Sequence, residues 1–124
     1  MAFIARDFEE VRNALANVFG EGSDGRYLID VLDDAVAARL SVAMSLTTSM
    51  HDLVFSPSPV GGTYDTVVVR APGSLHAPHT GNVRVDVVRS NGQSTSIERP
   101  SSEALAVFWA SMRDAFGVAR STSA

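Results

Sequence analysis

This 124-residue chain contains neither cysteine nor lysine. Without cysteine there is no disulfide, no thiolate metal site and no thiol nucleophile. Without lysine there is no Gly-x-x-x-x-Gly-Lys phosphate loop, and Gly61-Gly62 stands alone. A Gly-x-Ser-x-Gly nucleophile elbow is also missing. Charge is sparse: charged residues make up 19%, the formal net charge is -4 and the sequence pI is about 5.2. That balance excludes a nucleic-acid binder driven by bulk positive charge, though not a local basic surface. No apolar run approaches the roughly 20 residues of a membrane span. The start, Met1-Ala-Phe-Ile-Ala-Arg-Asp, does not read as a secretory leader.

What is present is a globular composition, with hydrophobic residues at 45%. The length suits a single domain, residues 1–124, with a core of its own. All ten basic residues are arginine, which fits either a GC-rich coding sequence or a preference for planar, bidentate donors.

The clearest local signals lie between Asn82 and Phe116. Val83, Val85 and Val87 alternate with Arg84 and Asp86, the period of a half-buried strand. Asn91-Gly92 predicts a hairpin with a type I′ turn. Thr95, Ile97 and Arg99 alternate on the return strand, and Pro100 ends it. Ser101 or Ser102 can cap a following helix, on which Leu105, Phe108, Trp109, Met112 and Phe116 share one face. Gly117 is the predicted stop.

The N-terminal third reads as helical. Arg6–Phe19 carries a stripe of Phe8, Val11, Leu15 and Val18, continued by Ile4. Arg26 to about Ala38 is a second helix, capped by Ser23 or Asp24, with Leu28, Val31, Leu32 and Ala35 on one face. Arg39–Thr48 is open between helix and strand. The strand is favoured, because Leu40, Val42, Met44 and Leu46 alternate with Ser41, Ala43, Ser45 and Thr47. His51–Phe55 extends it or starts the next element. Residues 56–62 form a loop, Tyr64–Ala71 a strand and Pro72–Gly81 a loop. The expected fold is therefore α+β: an antiparallel meander of about four strands, two N-terminal helices and one C-terminal helix.

Chemistry-bearing clusters are few. Asp30, Asp33 and Asp34 form an acidic helix face, read as solvated rather than as a cation site. His76 and His79 share a loop, with His51 elsewhere, and their spacing matches no zinc pattern. We expect no metal, no cofactor and no enzymatic activity. The polar side of the predicted strand places Arg39, Ser41, Ser45 and Thr47 on one sheet face, which Arg70 and Arg84 can join. Hydroxyls beside arginines can receive phosphates and bases. The apolar surface of the last helix, with Leu105, Phe108, Trp109, Met112 and Phe116, is expected to serve the core and a homodimer.

Three segments carry a resemblance: Arg39-Leu-Ser-Val-Ala-Met-Ser-Leu-Thr-Thr-Ser, Tyr64-Asp-Thr-Val-Val-Val-Arg-Ala-Pro, and Ser96-Ile-Glu-Arg-Pro-Ser-Ser-Glu leading into the helix. Together they resemble coat proteins of small single-stranded RNA phages over roughly residues 39–117. The resemblance implies a subunit that dimerises through its helical region. It further implies a shell around RNA, with a location in the virion. Those coat proteins usually begin with a β-hairpin, where this chain begins with two predicted helices. The alternatives are a small homo-oligomeric accessory domain in the cytoplasm without nucleic acid, or an unrecognised small enzyme.

Overall fold

The computed structural model describes residues 3–57 and 65–120. It is an α+β fold in which helices back one face of an antiparallel sheet. The helices are α1 (Phe8–Ala16), α2 (Arg26–Ala37) and α3 (Ala104–Phe116). The strands are β1 (Ser45–Ser49), β2 (Asp52–Ser56), β3 (Thr66–Val69), β4 (Asn82–Val88) and β5 (Ser94–Pro100). They form one sheet in the order β1-β2-β3-β4-β5, so the meander has five strands rather than about four. Most of the loop expected at residues 56–62, and the Tyr64 start of the next strand, lie outside the described residues. Among the described residues, no helix is long and apolar enough to cross a membrane.

The extra strand arises at Met50-His51, where the chain reverses between β1 and β2 with φ of 52° and 71°. Two successive left-handed residues suit the right-handed twist of a tight hairpin, but neither residue here is the glycine or asparagine that normally marks one. The β4–β5 hairpin departs from expectation in the opposite sense. Gly92 has a φ of 91°, but Asn91 keeps a negative φ. Gly92 N–H returns to Arg89 O at 3.0 Å, and Arg89 N–H bonds Gln93 O at 2.8 Å. This is a type I turn closed by a glycine bulge, not a type I′ turn.

Arg39–Thr48 is not a single strand. Arg39 ends α2 in the left-handed region, with φ 57° and ψ 39°. Leu40–Val42 then forms a 3₁₀ turn, held by Val42 N–H to Arg39 O and Ala43 N–H to Leu40 O. Strand pairing starts only at Ser45. Leu40, Met44 and Leu46 are buried as the alternation implied, but Val42 is 86% exposed. Two different local structures thus imitate one period-2 pattern.

The helix ends follow from local chemistry. The Asp7 carboxylate accepts Glu10 N–H at 3.0 Å and starts α1. Before it the chain is extended, because Arg6 N–H bonds Leu46 O at 2.7 Å along the outer edge of β1. Ile4 and Val18, expected on the apolar stripe, therefore lie outside α1 and are exposed. At α2 neither Ser23 nor Asp24 caps. Gly25 holds the N-cap position without a side-chain bond, and a Cβ there would overlap the Phe19 ring. Ser101 and Ser102 do not cap α3 either, because they open a 3₁₀ turn over Ser101–Glu103 that leads into it. Gly117, with φ 69°, ends α3 as predicted.

One hydrophobic cluster joins the helices to the sheet. The register aligns Leu46, Phe55, Val67 and Val87 across four strands on the covered face. Phe55 stands at its centre, 6.0 Å from the Phe8 ring and 5.1 Å from the Phe108 ring. It ties α1 and α3 to the same point of the sheet.

Candidate functional site

The same register sets out the other face, which no helix among the described residues covers. Thr47, Val54, Val68, Asp86 and Ser96 form one row across all five strands. Ser49 lies opposite Asp52, and Arg84 opposite Glu98. Arg70, just past β3, donates its N–H to Arg84 O at 2.9 Å and so continues that second row.

These side chains form an ion network. The Asp86 carboxylate sits between two arginines, with Arg70 Nε at 2.7 Å and Arg84 Nε at 2.9 Å. Arg70 Nη1 reaches Asp52 at 3.1 Å, and the other Asp52 oxygen accepts Ala71 N–H at 2.6 Å. Arg84 Nη2 also donates to Ser96 Oγ at 3.3 Å. Asp86 is only 2% exposed and Asp52 4%. Burial alone would raise the Asp86 pKa, but hydrogen bonds from Ser96, Arg84 and Arg70 outweigh it and hold the carboxyl below its ordinary value.

A second cluster flanks the network. One Glu98 oxygen accepts Asn82 Nδ2 at 2.9 Å and His79 N–H at 3.0 Å, and lies 2.6 Å from His79 Nδ1. The Asn82 bond first, then those from His79, depress the Glu98 carboxyl to about 2. His79 is thus exposed yet engaged by Glu98. His76 is exposed, and His51 packs edge-on against Phe19.

Of the six residues expected on a common polar face, Ser45, Thr47, Arg70 and Arg84 lie on it. Arg39 and Ser41 do not. They precede β1 and line a cavity beside α1, together with Arg6 and Ser45. The two arginines on the face are bound to carboxylates, which changes what that face offers. Sequence reading missed Asp52 and Asp86. Arg84 and Asp86 could have been paired from their i, i+2 spacing on one strand face, but Asp52 meets Arg70 only through register.

The helical residues serve this chain's own core first. Phe108 and Met112 are fully buried, while Trp109 and Phe116 pack at the cluster's edge. Leu105 is 38% exposed. Trp109 donates Nε1–H to Asp34 at 2.7 Å and fastens α3 to α2. The acidic helix face is likewise engaged: Asp33 pairs with Arg12, Asp30 with Arg26, and Asp34 with Arg120. Among the described residues, no three histidine, aspartate or glutamate side chains gather as a metal site. No protein family, curated protein or solved structure compared with this chain matches it.

Proposed function

We propose that this protein is a self-associating, non-enzymatic structural module, and that β5 is its assembly edge. The observation behind this reading is the free outer side of β5. Its residues are exposed except Glu98, which is half-buried, and among the described residues nothing pairs with that side. The other edge differs, because Arg6 partly closes β1. Arg89 N–H to Gln93 O and Ser101 N–H to Gly81 O bracket the β4–β5 ladder. By the alternation of an antiparallel pair, Ser94, Ser96 and Glu98 then turn their backbone groups outward. A second β5 related by a two-fold axis at Ser96 satisfies those groups. It sets Ser94 against the other copy's Glu98 and Ile97 against Thr95, with no like charges opposed.

The charge pattern of the open face favours a homo-oligomeric accessory domain without nucleic acid. Arg70 and Arg84 are matched there by Asp52, Asp86 and Glu98. The second reading is an RNA-phage-like coat subunit that builds a shell around single-stranded RNA. The five-stranded meander with one uncovered polar face favours it.

Light scattering after size exclusion tests the assembly. The wild-type protein is expected to form at least a dimer, and Ser96→Pro, which removes an outward N–H, is expected to be a folded monomer. A monomeric wild type overturns the proposal. A nuclease-sensitive megadalton particle with a raised 260/280 nm ratio would replace the accessory-domain reading with the coat reading. In that case Arg84→Ala should lower the packaged RNA. The salt dependence of RNA binding should then flatten by about one unit of slope for each phosphate no longer neutralised.

A further inference from the structure

Asn91-Gly92 closes the β4–β5 hairpin, and the geometry of that turn gives the pair a second property. The chain has four asparagines. Asn13 lies within α1, whose hydrogen-bonded backbone holds the following amide in place. Asn17 precedes Val18 and Asn82 precedes Val83, and a β-branched side chain crowds the next backbone nitrogen. The Asn82 amide is also engaged, donating to Glu98. Only Asn91 is followed by glycine, and both residues are exposed. Nothing lies within 4 Å of the place where a Gly92 Cβ would stand, so the Gly92 nitrogen is open to approach.

The Asn91 side chain is folded back onto its own backbone. Its Oδ1 accepts Gln93 N–H at 2.9 Å, an Asx turn that spans Gly92. The ring closed by that bond contains both Asn91 Cγ and the Gly92 nitrogen. The Gln93 N–H is therefore a donor aimed at Oδ1, the atom that gains negative charge when Cγ is attacked. The opposing contact is Gly92 N–H to Arg89 O at 3.0 Å, which opens first by local fraying of the exposed turn.

We infer that Asn91 is a self-modification site, which loses ammonia and becomes aspartate or isoaspartate. The Gly92 nitrogen attacks Asn91 Cγ and forms a new C–N bond. The Cγ–Nδ2 bond breaks, the Gly92 amide proton leaves with the departing ammonia, and a cyclic imide remains. Water, the one co-reactant, then opens the imide. Addition at Cγ restores the normal backbone with an aspartate side chain, and addition at the main-chain carbonyl leaves isoaspartate. Aspartate keeps an oxygen that accepts Gln93 N–H. Isoaspartate routes the main chain through Cβ and lengthens the turn, which then cannot keep both Gly92 N–H to Arg89 O and Arg89 N–H to Gln93 O. The hairpin loosens at the end that leads into Ser94. Ser94 is an outward residue of the proposed assembly edge; a weakening of assembly rests on that reading, whereas the modification itself does not.

Peptide mapping by mass spectrometry tests the site, on folded protein aged at mildly alkaline pH, with Asn91→Gln as the control. The wild type should gain the mass of an NH-to-O exchange in the peptide holding Asn91, and fragment ions should place both aspartate and isoaspartate at position 91. Asn91→Gln sets the amide one methylene further from the Gly92 nitrogen and should stay unmodified, which also separates Asn91 from Gln93 in the same peptide. Hydrogen exchange should show lost protection of the Arg89 and Gly92 amides in the isoaspartate fraction and retained protection in the aspartate fraction. No mass gain at Asn91, an earlier gain at Asn13, Asn17 or Asn82, or the same gain in Asn91→Gln overturns the site. Unchanged protection in the isoaspartate fraction overturns its effect on the turn. A wild type that is monomeric yet modified in this way overturns the assembly reading alone and supports this one.

Discussion

The two faces of this sheet are built from the same strands but stabilised in different ways. On the covered face, Leu46, Phe55, Val67 and Val87 pack against α1 and α3 in one apolar cluster. On the open face, Asp52 and Asp86 are nearly as well shielded, but by Arg70 and Arg84, which themselves stay partly exposed. Apolar burial is non-directional and tolerates small shifts. A chain of ion pairs is directional, and it forms only if β2, β3 and β4 are in one register. The open face therefore acts as a register lock on a sheet whose other side supplies most of the stability. A buried ion pair contributes little net energy, yet leaving one partner alone is costly.

Four substitutions sharpen this contrast, each read by urea denaturation. Phe108→Ala, on the covered side, should have the largest effect, about 3–5 kcal/mol, because it empties a fully buried site at the centre of the aromatic cluster. Asp86→Asn should cost about 2 kcal/mol, since it strips two charge-assisted bonds while the arginines retain some access to water. If it costs as much as Phe108→Ala, the open face is a second core and the contrast fails.

The third effect depends on pH. Glu98 has a folded-state value of about 2 against an ordinary 4.5. Its contribution is therefore complete above about pH 4.5 and is lost as pH falls towards about 2. Glu98→Gln should flatten that acid limb, by lowering its neutral end rather than raising its acid end. An unaltered limb would mean that the His79 and Asn82 bonds do not persist in solution. Ser96→Ala removes the 3.3 Å bond from Arg84 and the hydroxyl beside Asp86, and should cost about 1 kcal/mol or less.

The covered face was legible in the sequence because its signals are local. The helical period of Phe108 and Met112, the stop at Gly117 and the alternation of Val83, Val85 and Val87 each need only a few neighbouring residues. The β1–β2 turn was not legible. Met50-His51 lacks the residues that mark a reversal, so the sequence left open whether His51–Phe55 extends the preceding strand or starts a new one. Arg39–Thr48 misled for a related reason: a left-handed residue, a 3₁₀ turn and a strand happen to bury alternate side chains, and only Val42 gives the difference away. At the candidate site, the common side of Arg70 and Arg84 was readable. Their neutralisation was not, because Asp52 and Arg70 belong to different strands and meet only after pairing.

The sheet's spatial order equals its order along the chain. Each strand therefore pairs with its predecessor, with residues 50–51 and 89–93 closing the two tightest hairpins. Closing such loops costs little chain entropy, so folding can advance one hairpin at a time without a long search. The exception is the bridge between Arg6 and Leu46, which spans two helices. Among the sheet's backbone pairings, docking of the N-terminal segment is consequently the step with the greatest sequence separation. The β1 edge is open to other strands until that step is complete.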